Sequence, residues 1–404
     1  MSRVRLAYLV SHPIQYQAPL LKRLAADPAI DLKVFFRSDL SVAGYQDPGF
    51  GRRIEWDVPL LDGYEHEFLP AWGGDTRTLT PFWRPFSRGL ARRLRRHRAE
   101  VLWVHGYARF FHWIAMAEAK ALGLKVLLRD EATAISRERS GPKQVARAAF
   151  FAGLRQVVDA YLPIGTLNRQ YWQALGVPER RLFDVPYAVD NDRFAAAAAA
   201  AAPGREARRA ALGLAPGRPV LLFTAKLTPI KDPLLPLRAV ARLKAGPLAG
   251  RPPYLLYVGD GPLRGEIEAA IAQGGLGDDV RLLGFRNQRE LPEFYDLCDV
   301  FVLPSRHEPW GLVVNEAMNA GRAVVATDRV GSAPDLVQPG VNGAIVPVGD
   351  DAALAAALAP IAGDPARCRA MGEASRRIIA GWGFDQDIAG LKQAMAAVLR
   401  RPVG

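Results

Sequence analysis

The sequence predicts an α/β protein built from two doubly wound, Rossmann-like domains facing a central cleft. Three observations carry that expectation. Short apolar runs alternate with amphipathic stretches, glycines and prolines punctuate the joins, and the alternation occurs twice, in halves separated by an alanine run. With 404 residues the chain is too long for one core and suits two domains of ordinary size.

In the first half VRLAYLV, DLKVFF, EVLWVHGY and LKVLLRD read as buried parallel strands, with amphipathic stretches at Ala18–Ala26 and Trp113–Leu122 between them. AYLPIG starts a further strand, Leu167–Leu175 a helix, and FDVPYAVD a last strand. This half is assigned to 1–192, and 193–204, which holds the alanine run, to the connection. The second half, 205–381, repeats the logic with PVLLFTAKL, PYLLYVGDG, DDVRLLGF, DVFVLPS, RAVVATD and NGAIVPV. Residues 382–404 form a terminal amphipathic helix expected to pack back on the first domain.

Half the residues are apolar and 23% are charged, a globular composition without the polarity of a disordered chain. Leu6–Val10 suits a buried strand and is too short for a signal-peptide core, and no run approaches the ~20 apolar residues of a spanning helix. A soluble, cytoplasmic protein is the expectation. Cys298 and Cys368 are far apart and lack metal-ligand spacing, so they read as structural thiols.

The net charge of +12 is uneven: residues 1–190 hold 28 basic against 19 acidic residues. Arg84–Arg98 alone has seven arginines and no acid. Such a segment suits an anionic surface, including the inner face of a membrane, and it equally suits a plain solvated helix face. A nucleic-acid groove would need interleaved aromatics or a recognition motif, and neither is present.

The chemistry concentrates in the second half. Lys226 and Lys231 lie in the loop KLTPIK, at the carboxyl edge of a predicted parallel strand, where ligands of such sheets bind. Two fixed cations there can converge on a diphosphate and stabilise charge on a departing one. In SRHEPWGLVVNEAMNAG a strand gives way to a loop and then a helix starting near Leu312. The amides of Gly311, Leu312 and Val313 then lack intrahelical acceptors and suit an anion. Gly311 has no side chain to block backbone approach. Glu308 precedes this helix and Glu316 lies in its second turn.

The pattern Glu308-x7-Glu316 after Lys226/Lys231, with VGDGPLR, LLGFRNQREL and CDVFVLPS in order, resembles the family 4 retaining glycosyltransferases of GT-B fold. The resemblance covers about 180 residues of the second half. It implies transfer of a sugar from a nucleotide-diphosphate donor to a hydroxyl acceptor, saccharide or lipid-linked, in polysaccharide, glycolipid or cell-envelope synthesis. By the same resemblance Lys226 and Lys231 hold the diphosphate and Glu308 faces the donor sugar. Glu316 accepts from the ribose, the amides of Trp310 to Val313 line sugar and phosphate, and Phe285 and Arg286 border the base. A carboxylate facing vicinal hydroxyls is sound chemistry, since it only accepts hydrogen bonds.

The acceptor side departs from the family. SHPIQYQAP replaces the frequent Gly-Gly turn, and Arg129-Asp130-Glu131 stands where a histidine is common. His12, His105, Asp130 and Glu131 are the candidates, with Asp130 and His105 joining Glu308 and the lysines as catalytic candidates. Asp190-Asn191-Asp192 is like a metal motif but reads as a turn with a helix N-cap, so no metal or other cofactor is expected. Two rivals share the donor site: a nucleotide-sugar 2-epimerase and a non-catalytic nucleotide-sugar-binding subunit.

Overall fold

Continuous apolar runs flanked by helices can be satisfied only in a sheet buried on both faces, and both halves form one. The computed structural model describes residues 3–42, 44–47, 49–72, 82–83, 86–133 and 142–404. These divide into two compact units, one of 1–45, 54–187 and 384–404, the other of 46–53 and 188–383.

In the first unit the strand order is Ala160–Tyr161, Lys125–Arg129, Val101–His105, Val4–Val10, Ile30–Phe36, His66–Phe68, every neighbour parallel. The second unit repeats it: Val280–Leu282, Tyr254–Val258, Val220–Thr224, Val300–Leu303, Ala323–Thr327, Gly343–Val346. In both, the strand order reverses beside the first strand of the unit. At such a switch point the loops diverge to opposite faces and leave a crevice beyond the carboxyl ends. The reversal lies between Val4–Val10 and Val101–His105 in one unit, and between Val220–Thr224 and Val300–Leu303 in the other. Every candidate site loop except that of Phe285 follows one of these four strands or Lys125–Arg129.

Each sheet is sealed by its helices. Leu221, Phe223, Leu255, Tyr257, Val300 and Val302 pack with Leu235, Val240 and Leu358 in the second unit. Ala7, Leu9, Leu102, Val104, Val126 and Leu128 pack with Met116, Leu154 and Trp172 in the first. Burial on both faces explains why these strands read as unbroken apolar runs.

Some elements differ from expectation. FDVPYAVD forms no strand: Phe183, Val185 and Tyr187 donate their amides to Tyr161, Pro163 and Ile164, running extended beside the edge without a regular ladder. The alanine run Ala195–Ala202, assigned to the connection, is helical. It forms the helix Asn191–Ala201 and groups with the second unit, Asp190 capping it through the amide of Arg193 at 3.0 Å. The helix Phe384–Leu399 groups with the first unit. Two small pairs, Tyr45–Asp47 with Arg52–Ile54 and Ala71–Trp72 with Phe86–Ser87, carried no sequence signal. Both cysteines are buried free thiols. No helix among the described residues is long and apolar enough to cross a membrane.

Candidate functional site

The switch point of the second unit brings together the loop after Thr224 and the loop after Leu303. Lys231 lies in a short 3-10 turn, Pro229–Lys231, and is followed by Asp232 in the left-handed region at φ 44°. That turn is braced by Arg306, whose guanidinium reaches buried Asp232 at 2.8 Å. Glu308 is held by its own backbone, its amide bonding the Arg329 carbonyl at 3.0 Å and its carbonyl accepting from Gly331 at 2.9 Å. So placed, the Lys231 ammonium and the Glu308 carboxylate form an ion pair. Lys226 is paired too, its ammonium 2.8 and 2.9 Å from the two oxygens of Asp47.

The helix Leu312–Asn319 begins on Gly311 at φ 91°, in the left-handed region. A Cβ there would also meet Leu303 Cδ2 at 2.8 Å, so only glycine makes this turn. The Trp310 side chain is buried, its indole N–H bonding Asn315 at 3.0 Å and its ring lying 5.5 Å from that of Trp382. Only its backbone is left for a ligand.

Glu316, in the second turn of this helix, is buried, and Tyr295 donates its hydroxyl to it at 2.6 Å. Burial pushes the Glu316 carboxyl up to about 7, with Tyr295 and Arg193 pulling against it. Phe285 meets Phe50 edge to face at 5.0 Å and carries the Arg52 guanidinium 5.2 Å above its ring. Arg286 turns to Glu290 at 3.0 Å. The unit thus offers a helix N-terminus, two lysines, two carboxylates and an aromatic pair. That set suits a ligand with phosphate, hydroxyl and flat aromatic parts.

The first unit's switch point holds a network centred on His105. Its Nδ1 is 3.1 Å from the Tyr8 hydroxyl and 3.2 Å from Gln17 Nε2, and its Nε2 is 3.0 Å from the Tyr187 hydroxyl. Tyr187 donates to Glu131 at 2.6 Å, and Tyr16 donates to the same oxygen at 3.3 Å. Since Tyr187 spends its proton on Glu131, its oxygen is left to accept from His105, which places the imidazole proton on Nε2. Burial, then Arg129, pushes His105 well below the usual imidazole range, so it is neutral.

Asp130 and Glu131 separate cleanly. Asp130 is buried, with oxygens taken by the Trp172 indole at 3.0 Å, Asn168 at 3.2 Å and the Ala132 amide at 3.0 Å. Burial pushes it up to about 7 against those bonds. Its ties are all to the core of its own unit. Glu131 is only partly buried and follows the carboxyl end of the strand Lys125–Arg129. His12 bonds Ser11 at 2.8 Å and does not join the His105 network; burial, then Arg37, lowers it to about 4.

Sequence reasoning missed Asp47, Phe50, Tyr295 and the Tyr8–Tyr16–Tyr187 set, because each acts on a partner distant in sequence. Asp190 serves as an N-cap, and no three His, Cys, Asp or Glu side chains among the described residues are grouped to hold a metal.

The architecture is the two-domain GT-B fold. Residues 204–378 match the family model of glycosyl transferases group 1. The chain is 35% identical over 236 residues to D-inositol 3-phosphate glycosyltransferase of Geodermatophilus obscurus, covering 57% of this chain and 50% of that one. It is 36% identical over 208 residues to 2-deoxystreptamine glucosyltransferase of Streptomyces kanamyceticus, covering 51% of each. The chain thus spans about half the length of these curated relatives. Among solved structures, a glycosyltransferase from Rickettsia africae superposes with a TM-score of 0.74 at 13% identity, over 99% of this chain and 100% of that one. Anabaena HepE, solved with UDP and glucose, gives 0.70 at 18% identity over 98% and 100%.

Proposed function

We propose that the protein transfers a sugar from a nucleoside-diphosphate donor to a hydroxyl acceptor, with retention, in polysaccharide or cell-envelope glycoconjugate synthesis. One observation carries this reading: Lys231, Glu308 and the Gly311-led helix N-terminus converge at the switch point of a unit that matches the group 1 family. Lys226, Lys231 and the amides of Gly311, Leu312 and Val313 hold the diphosphate, and the fixed charges stabilise it as it leaves. Glu308, fixed by its backbone bonds, orients the sugar hydroxyls, and Glu316 takes the ribose. Phe285 and Arg286 border the base. UDP in the HepE structure supports a uridine donor.

On the acceptor side Glu131 is the working carboxylate, steadied by Tyr187 and Tyr16 and linked through Tyr187 to neutral His105. Asp130 braces the fold. With two lysines and a helix end for the phosphates, the reaction is metal-independent. Exposed Trp72 and Trp83 and the arginines of Leu90–His97 dock the first unit on an anionic membrane face.

A panel of nucleotide sugars tests the reading. One donor should raise the melting temperature, since ligand that binds only the folded state stabilises it. Release of nucleoside diphosphate should then require an added acceptor, survive exhaustive chelation, and yield a product whose anomeric configuration matches the donor. Donor rearrangement without acceptor would favour the epimerase, and binding without turnover the non-catalytic subunit.

A further inference from the structure

The two lysines at the donor end are neutralised in different ways. Lys231 is paired with Glu308, a residue of the same site. Lys226 is paired with Asp47, a residue 179 positions earlier in the chain. Residues 46–53 group with the second unit while the chain on either side of them groups with the first. They therefore belong to the same unit as the donor end.

Several observations seat them there. Both Asp47 oxygens bond the Lys226 ammonium, the Asp47 side chain is 7% exposed, and the ammonium also lies 4.9 Å from the Phe50 ring centroid. Phe50 in turn packs edge-on against Phe285. Gly49 passes so near that a Cβ on it would come within 2.6 Å of Lys226 Cδ. The Asp47 carboxylate also accepts from the amides of Gly49 at 2.8 Å and Phe50 at 3.1 Å, which fixes the turn. Burial alone would raise the Asp47 carboxyl, but Lys226 and the two amides outweigh it and hold it below the usual carboxylate range.

An ammonium has three N–H donors, and Asp47 takes two of them. A diphosphate arriving at Lys226 meets both an occupied cation and a fixed like charge. We propose that Asp47 is a built-in competitor for the donor diphosphate: its carboxylate and the phosphate contend for Lys226, and Asp47, Gly49 and Phe50 lift from the lysine when the phosphate binds. This also carries Phe50 away from Phe285, so phosphate occupancy is coupled to the aromatic wall proposed for the base. The proposal rests on Lys226 being a phosphate ligand, and the test separates the two.

Inorganic pyrophosphate is the probe, titrated against the full chain by calorimetry. Asp47→Asn keeps an oxygen for the Gly49 and Phe50 amides while removing the charge. It should tighten pyrophosphate binding roughly five- to tenfold, the effect of removing one like charge a few ångströms away. The gain should vanish in a Lys226→Ala background, as a double-mutant cycle requires. In the unaltered protein, pyrophosphate should speed hydrogen exchange at the Gly49 and Phe50 amides. Unchanged or weaker binding by folded Asp47→Asn, or exchange at those amides that stays constant, overturns the competition. If Lys226→Ala itself leaves pyrophosphate affinity intact, the phosphate-site reading of Lys226 falls, and the competition with it.

Discussion

Arg129 and Asp387 form a buried ion pair at 3.0 Å, although 258 positions separate them in sequence. The guanidinium also donates to the carbonyls of Val185 at 2.8 Å and Pro186 at 3.1 Å, and lies 4.6 Å from the Tyr187 ring. Both side chains are at most 2% exposed, so neither charge has water to fall back on. The pair ties the helix Phe384–Leu399 to the strand that delivers Asp130 and Glu131. Removing one partner leaves the other charge buried and unmatched, so Asp387→Ala should cost about 3–5 kcal/mol of stability. Denaturant unfolding of the variant measures this, and replacing both residues by apolar ones should cost less than the single change.

Lys231→Ala should lower turnover by roughly a hundredfold, the usual effect of losing one fixed donor to developing charge. The variant also frees Glu308 from its ion pair, so a change in donor KM should accompany the loss. Steady-state kinetics on protein with an unchanged melting temperature checks this. Near-normal turnover would remove Lys231 from the leaving-group site.

With the ribose role proposed for Glu316, its raised carboxyl should make nucleotide binding depend on pH. The unfolded chain loses this proton near about 4.3 and the folded protein near about 7. Between those values the folded state holds a proton the unfolded chain lacks, so the residue's contribution to stability falls as pH rises through the window. Hydroxyl recognition runs the other way, because only the ionised group accepts from both ribose hydroxyls. Affinity for the nucleoside diphosphate should therefore rise between pH 6 and 8. Titration calorimetry across that range should show the rise in the native protein and a flat profile in Glu316→Gln.

The neighbours Asp130 and Glu131 should give opposite phenotypes. Glu131→Gln should fold normally and lose on the order of a hundredfold or more in turnover, the range for a positioned acid–base or charge-stabilising group. Asp130→Asn turns an amide NH2 toward donors that the carboxylate now satisfies, and should cost about 1–3 kcal/mol of stability. Paired melting and kinetic measurements separate them, and stable Asp130→Asn with abolished turnover would reverse the assignment.

Membrane docking can be read from vesicles. In the helix Leu90–His97, Leu90 and Leu94 face the core while Arg92, Arg95 and Arg96 are exposed, and Arg93 and Arg96 share Glu67. Arg84 lies outside the described residues. Trp72 and Trp83 are more than half exposed. Co-sedimentation should occur with anionic lipid, fade as salt rises, and weaken when Arg92, Arg95 and Arg96 become glutamine, at about 1 kcal/mol per basic residue near the headgroups. Equal binding to neutral vesicles would leave the arginines as a solvated face.

The sequence by itself determined the repeated strand–helix period, the six strands of the second unit, and the strand–loop–Gly311–helix arrangement that spaces Glu308 from Glu316. Those features are local: an apolar run, a glycine forced into the left-handed region and a helix start are each decided within about ten residues. Tertiary structure decided which charges meet and which lose their water. The sequence places Glu316 in a helix's second turn but not its burial, which Tyr295 completes, and Asp130 reads like Glu131 until Trp172 and Asn168 claim it. Lys226 reads as a free cation until Asp47 arrives from another part of the chain. Desolvation and long-range pairing depend on where distant segments come to rest, and spacing along one chain carries no measure of that.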